Sequence, residues 1–127
     1  MNIRNFKKIG EYYALDTDPS YEEYIGRQKS KKLSLVYLMV VNNEILYIGE
    51  TRGGYYRPLS YHKNNIMKNQ KDGIARELNN GNKVEVFALE IPNQEIQING
   101  EKVECYLAQD YEKFLIKKYS PQWNGRA

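Results

Sequence analysis

The chain has 127 residues, 41% of them hydrophobic and 28% charged, which is enough for one core but not for a catalytic domain and a separate targeting domain. Nineteen basic against sixteen acidic residues give a net charge of +3 and a pI near 8.8, a weak indication of a polyanionic partner. The sequence lacks an apolar run long enough for a membrane span or a signal core, and its single Cys105 excludes an internal disulfide and a cysteine metal cage, so we expect a cytoplasmic protein.

Residues 1–32 mix charged side chains with tyrosines and are predicted to form a helical arm. Asp18-Pro19 supplies a capping residue and a proline at the first helical position, and residues 20–29 continue with amphipathic spacing. The end of this segment carries Arg27, Lys29, Lys31 and Lys32. It is either a solvated helix end with a basic linker or an arm that contacts phosphates or a second subunit.

Two apolar runs follow, and they predict a β-hairpin. The runs, Leu35 to Val41 and Ile45 to Gly49, flank the polar turn 42–44. After Gly53-Gly54 breaks the second strand, a helix is predicted from Tyr55 to about Met67.

The second half of the chain predicts one more strand, a hairpin and two helices. Asp72-Gly73 would separate the helix before it from a short helix over residues 74–79, which ends at Asn80-Gly81. Residues 83–91 alternate as a third strand, and Asn99-Gly100 predicts a hairpin between residues 95–98 and 101–107. The last helix, residues 111–119, would be capped by Asp110 and would end before Pro121.

These elements predict an α/β fold of the mixed α+β kind. A central three-stranded antiparallel sheet flanked by helices would occupy residues 33–127, with the helical arm 1–32 in front and the hairpin near Asn99-Gly100 inserted.

Each strand of the first predicted hairpin carries one tyrosine, and the second tyrosine begins a short motif. The pattern is Val36-Tyr37, nine residues, and then Tyr47-Ile48-Gly49-x-Thr51. It resembles the motif of the GIY-YIG nuclease family, with Leu35 and Val36 where the family usually has Gly and Ile.

Three features further along the chain agree with this resemblance. The stretch from Glu112 to Asn124 is similar to the closing motif of the family, a glutamate, an LIK-type helix, a proline and an asparagine. Arg57 stands where the family places its phosphate-binding arginine, and Tyr61 stands where members have tyrosine or histidine. The order of elements is most similar to that of phage and small restriction-enzyme members. The resemblance covers roughly residues 35–124 and implies the GIY-YIG fold.

The resemblance implies a catalytic set of Tyr37, Tyr47, Arg57, Tyr61 and Glu112. Glu112 would hold one Mg²⁺, or Mn²⁺ in its place, and Arg57 would bind phosphate through its planar fork. The base would be Tyr37, provided that a cation such as Arg57 favours its phenolate, or else Tyr61. Without the resemblance, Glu112 would be read as a glutamate at the rim of an apolar helix face that reaches solvent.

The expected substrate-binding set comprises Gly49, Thr51, Lys71, Arg76 and Asn124. Gly49 either lets the backbone approach the substrate closely or makes an ordinary turn. For Asn124 a structural role stands ahead of a role in catalysis. Lys71 and Arg76 are phosphate contacts or solvated cations. Residues 52–76 are rich in basic side chains, as a nucleic-acid backbone would require: Arg52, Arg57, Lys63, Lys68, Lys71 and Arg76.

The function predicted from these features is Mg²⁺-dependent endonuclease cleavage of double-stranded DNA in a bacterial or phage-infected cell. One active site cuts one strand, so a homodimer or homotetramer is expected if both strands are cut. The alternatives are a non-catalytic nucleic-acid-binding module with the same fold and a protein-interaction domain with a tyrosine-rich surface. RNA stays open as a substrate, since no feature reads the 2′-hydroxyl.

Overall fold

The computed structural model describes residues 3–14, 16–28, 31–63 and 68–125. Among these residues seven strands and two α-helices form a mixed α+β domain. The strands are β1 (Lys7–Tyr12), β2 (Ser20–Tyr21), β3 (Leu35–Val41), β4 (Glu44–Thr51), β5 (Val84–Glu90), β6 (Gln94–Ile98) and β7 (Glu101–Cys105). The helices are α1 (Lys68–Asn79) and α2 (Leu107–Tyr119), with 3₁₀ helices at Glu23–Gln28, Gly54–Leu59, Tyr61–Lys63 and Gln122–Asn124.

The main sheet has five strands in the order β2-β1-β5-β3-β4, and every neighbouring pair is antiparallel. The three predicted strands are adjacent in it, but the expected three-stranded sheet is wrong because β1 and β2 extend it. Strand β1 falls within the predicted helical arm and carries the charged residues Lys8 and Glu11. In the fold these side chains pair with each other at 2.6 Å, and Lys8 also pairs with Glu85 of β5 at 3.1 Å.

The predicted hairpin of β3 and β4 is present, and the backbone conformation of its turn explains why two asparagines occupy it. Asn42 and Asn43 both have positive φ, at 48° and 68°. This is the left-handed pair that a tight antiparallel turn requires, and asparagine tolerates it better than most residues.

Every residue of β3 is buried, because structure covers both faces of the sheet. On one face Leu35, Tyr37 and Met39 pack in a cluster that includes Ile74 of α1. On the other face Val36, Leu38 and Val40 pack with Ala108 and Leu115 of α2. Tyr37 is therefore attached to a strand that packing holds on both faces.

The predicted N-terminal helix and the helix of residues 55–67 are both replaced by 3₁₀ turns. Within the N-terminal arm the structure has β1, β2 and the 3₁₀ helix Glu23–Gln28, so the helical description of the arm is wrong. Pro58 lies inside the 3₁₀ helix Gly54–Leu59, where a missing N–H and a fixed φ oppose a continuous α-helix. Residues 64–67 of the predicted helix lie outside the described residues.

Both α-helices begin earlier than predicted. Helix α1 starts at Lys68, so Asp72-Gly73 lies inside it and does not separate two helices. Gly73 is a packing residue, because a Cβ there would lie 2.6 Å from Cε2 of Trp123. Asp110 likewise lies within the first turn of α2 and is not its cap.

The second hairpin is present where Asn99-Gly100 predicts it, with φ values of 55° and 79°. Strands β6 and β7 form a separate two-stranded sheet, and nine of their ten residues are exposed. In the described part of the chain, neither α-helix has the length and apolarity of a membrane span.

Candidate active site

Three tyrosine rings from separate elements form a compact cluster. Tyr37 of β3 and Tyr47 of β4 lie on one face of the sheet, and Tyr61 reaches them from its 3₁₀ helix. The ring centroids are 6.0 to 6.2 Å apart, and the Tyr37 and Tyr61 hydroxyls are hydrogen-bonded at 2.5 Å. Tyr37 and Tyr61 are each only 1% exposed, so packing fixes both rings.

Gly49 is a glycine because the Tyr37 ring lies directly over it. The two residues face each other across β3 and β4, and a Cβ on Gly49 would lie 2.5 Å from Cζ of Tyr37 and 2.6 Å from its hydroxyl oxygen. This contact explains why position 49 is a glycine. The explanation differs from both expected ones, which were the close approach of substrate and an ordinary turn.

The free site does not favour a tyrosine phenolate. Burial, followed by the neighbouring phenols Tyr61 and Tyr47, raises the pKa of Tyr37 well above its usual value, and Arg57 opposes the shift only weakly. Burial likewise raises the pKa of Tyr47. Tyr37 can act as a base only if cationic neighbours favour its phenolate, and Arg57 alone does not meet that requirement.

Arg57 and Glu112, far apart in the chain, both act on the Tyr47 hydroxyl. After burial and Tyr61, the charge of Glu112 raises the pKa of Tyr47, and the charge of Arg57 lowers it. Arg57 is exposed and Glu112 is half-buried. The fold therefore brings the charges of Arg57 and Glu112 within electrostatic range of the cluster formed by Tyr37, Tyr47 and Tyr61.

Glu112 has a second carboxylate beside it that the sequence analysis missed. Burial and then the charge of Glu50 raise the pKa of Glu112 to about 7, which a hydrogen bond from the Glu50 backbone and the charge of Lys113 partly oppose. Glu50 also accepts a hydrogen bond from the Tyr106 hydroxyl. The only sequence signal for Glu50 was its position directly after Gly49 in the motif.

The donors at Glu112 suit a hydrated hard cation. Among the described residues no group of three or more His, Cys, Asp or Glu could form a metal cage. Mg²⁺ keeps several of its waters and commonly takes one or two carboxylates, which Glu112 and its neighbour Glu50 can offer. A cation here would also offset the repulsion that now favours the protonated form of Glu112.

Asn124 forms two hydrogen bonds to the backbone of β4, at the outer edge of the sheet. The Ile48 N–H donates to its Oδ1 at 2.9 Å, and its Nδ2 donates to the Ile48 carbonyl at 2.8 Å. Strand β4 is an edge strand, so these backbone groups have no partner strand. The contacts agree with the structural alternative for Asn124.

Replacing Asn124 with alanine is expected to lower the free energy of unfolding by about 2 kcal/mol, because two hydrogen bonds to the edge strand are lost. Urea denaturation followed by Trp123 fluorescence measures the change. The exposed neighbour Gln122, replaced with alanine, is the control and should change stability by less than about 0.5 kcal/mol. Equal stability of the two variants would contradict the structural role of Asn124.

The remaining predicted substrate-binding residues are Thr51, Lys71 and Arg76. Thr51 uses its Oγ1 to accept the Gly53 N–H at 2.9 Å, which shapes the turn after β4. Lys71 on α1 lines a small cavity with Tyr12 and His62. Arg76 is exposed further along the same helix.

Comparisons with known proteins point to one class of enzyme. No protein-family model matches the chain. The chain is 26% identical over 99 residues to Endonuclease II of Enterobacteria phage T4, covering 73% of each protein. The chain resembles an endonuclease.

Solved structures show the same fold. A mutant of bacteriophage T4 EndoII superposes with a TM-score of 0.70 and 21% identity, over 93% of this chain and 90% of that one. The restriction endonuclease HPY188I in complex with product DNA superposes with a TM-score of 0.50 and 17% identity, over 91% of this chain and 76% of that one. The mixed α+β fold is thus that of nucleases.

Proposed function

We propose that the chain is a Mg²⁺-dependent endonuclease that hydrolyses phosphodiester bonds of double-stranded DNA at a single-metal site of the GIY-YIG kind. The observation that carries this proposal is the cluster of Tyr37, Tyr47 and Tyr61, whose ring centroids lie 6.0 to 6.2 Å apart and whose Tyr37 and Tyr61 hydroxyls are hydrogen-bonded. Arg57 and Glu112 are near enough to this cluster for their charges to act on Tyr47. A phosphate-binding cation and a cation-binding acid then flank a set of phenols that can orient water. Mn²⁺ would serve in place of Mg²⁺.

The similar proteins support this assignment. The phage relative is an endonuclease, and the restriction enzyme with a similar fold was solved with product DNA. The phage relative also supports action in a phage-infected bacterial cell.

Phosphodiester hydrolysis needs an activated water, neutralised phosphoryl oxygens and a stabilised leaving alkoxide. Glu112 would hold Mg²⁺, which supplies positive charge and water activation when bound. Arg57 would grip two oxygens of the scissile phosphate, because its exposed guanidinium offers parallel donors in a fixed plane.

The phenols would position the attacking water. Burial keeps Tyr37 neutral in the free protein, so Tyr37 would first lose its own proton to solvent, which a bound cation and Arg57 would favour. The phenolate would then accept the proton of the attacking water, and the hydrogen bond between the Tyr37 and Tyr61 hydroxyls would let either oxygen end with that proton.

A plasmid assay tests the proposal. Supercoiled DNA should be cut with Mg²⁺ and left intact with a chelator. An intact plasmid in both conditions, with salt-dependent DNA binding retained, would favour the non-catalytic binding module. Absence of any DNA affinity would favour the protein-interaction domain, and cleavage of an RNA duplex alone would make RNA the substrate.

Cleavage of both strands would need more than one copy of the site, so a homodimer or homotetramer is proposed. The β6–β7 hairpin offers a surface for this assembly, since Ile96, Ile98 and Val103 are 41%, 55% and 37% exposed and share one face of the two-stranded sheet. A monomer in light scattering with DNA bound would indicate nicking of one strand.

A further inference from the structure

Arg52 is an exposed cation that an aromatic ring holds in place. Its guanidinium carbon lies 3.8 Å from the centre of the Tyr106 ring, and the Tyr106 hydroxyl donates to the carboxylate of Glu50. Glu50 in turn lies beside Glu112, whose pKa it raises. The chain of contacts therefore runs from the proposed cation ligand out to a surface arginine.

The Tyr106 ring orients the Arg52 guanidinium, but no ion pair between described side chains neutralises its charge. Arg52 also hydrogen-bonds the Tyr106 hydroxyl. Because a guanidinium has five N–H donors, others remain that a phosphate can accept.

Arg52 also stands at the right place in the fold. It follows the last residue of β4, and Arg57 lies five positions later in the 3₁₀ helix Gly54–Leu59. The two arginines thus stand at the two ends of one short segment. Arg52 is connected to Glu112 through Tyr106 and Glu50, and the charges of Arg57 and Glu112 both act on Tyr47.

We infer that Arg52, held over Tyr106, binds a backbone phosphate next to the scissile phosphate of DNA. The inference rests on the proposed function, because it deepens that site by adding a second phosphate contact. Tyr106 acts as a positioning residue. It holds the long arginine side chain in one orientation, which lowers the entropy lost when DNA binds.

The test is equilibrium binding of a labelled DNA duplex at several salt concentrations, with a chelator present so that the DNA stays uncut. Replacing Arg52 with alanine should weaken binding about tenfold. It should also reduce the slope of log affinity against log salt by about 0.9, the value for one phosphate contact. With Mg²⁺, KM should rise while kcat stays unchanged.

Variants of Tyr106 separate positioning from charge. Replacing Tyr106 with leucine removes the ring and should weaken binding in the same direction as loss of Arg52, with the salt slope kept. Replacing it with phenylalanine keeps the ring and loses the hydroxyl with its hydrogen bonds to Glu50 and Arg52, so its affinity should lie closer to that of the unaltered protein.

Lys83 provides the matched control for loss of one positive charge. It precedes β5, whereas Arg52 follows β4 at the end that aligns with Glu90, so the two cations lie at opposite ends of the sheet. Replacing Lys83 with alanine should leave the salt slope unchanged.

The outcomes distinguish the two proposals. If the unaltered protein cuts DNA and loss of Arg52 changes neither affinity nor salt slope relative to the Lys83 control, the Arg52 contact is overturned and the endonuclease stands. If the unaltered protein neither binds nor cuts DNA, the proposed function fails and the Arg52 contact fails with it.

Discussion

Replacing Glu112 with glutamine is expected to lower cleavage by about a thousandfold or more, because the variant lacks the carboxylate that would hold Mg²⁺. The fold should be kept, since the amide has nearly the same shape and the side chain is only half-buried. DNA affinity in the presence of a chelator should also be kept. Plasmid cleavage and duplex binding measure the two effects separately.

A control on the same helix tests whether any lost carboxylate would do the same. Asp110 is exposed in the first turn of α2, and replacing it with asparagine should leave cleavage within about threefold of the unaltered protein. Full activity of the Glu112 variant with Mg²⁺ would refute its assignment as the metal ligand.

The same variant has a pH-dependent signature that does not need DNA. In the folded chain the pKa of Glu112 is raised from 4.5 to about 7, so the folded state binds more protons than the unfolded state between these values. Stability should therefore fall as pH rises through this window, and the glutamine variant should lose that dependence. Solvent screening limits the expected difference to about 1 kcal/mol. Mg²⁺ at pH 8 should raise the Tm of the unaltered protein and leave the variant unchanged.

Replacing Gly49 with alanine is expected to lower the free energy of unfolding by about 3 kcal/mol and to remove cleavage. The added Cβ would lie 2.5 Å from the Tyr37 ring, which cannot move away because it is 1% exposed and hydrogen-bonded to Tyr61. Either the ring or β4 must shift, and both carry groups of the proposed site. Urea denaturation and the plasmid assay measure the two losses.

Gly53 is the control for this substitution, because it lies in the same segment but outside the core. A Cβ there would meet only Oγ1 of Thr51, at 3.3 Å, and the residue is exposed. Its alanine variant should stay within about 0.5 kcal/mol of the unaltered protein. Equal stability of the Gly49 and Gly53 variants would show that the Tyr37 ring yields to a methyl group.

Local sequence determined the elements whose signals are short-range. The polar turn 42–44 and Asn99-Gly100 predicted both hairpins, because positive φ at consecutive residues selects asparagine and glycine. The start of α1 was predicted wrongly because the role of Gly73 depends on a residue distant in the chain. Asp72-Gly73 looks like a break, and only the Trp123 ring packed against Gly73 explains the glycine inside a helix.

The sequence by itself determined the central hairpin and the third strand, since turn chemistry and apolar alternation are properties of the chain alone. The five proposed catalytic side chains follow from the resemblance of its motifs to a known family, and they stay a prediction. Only the tertiary structure decided that β1 joins the sheet, because its charged residues become paired only when Glu85 lies beside Lys8. Only it placed Glu50 next to Glu112 and Arg52 over Tyr106. Contacts between residues distant in the chain depend on how the strands and α2 pack, and no local pattern records that packing.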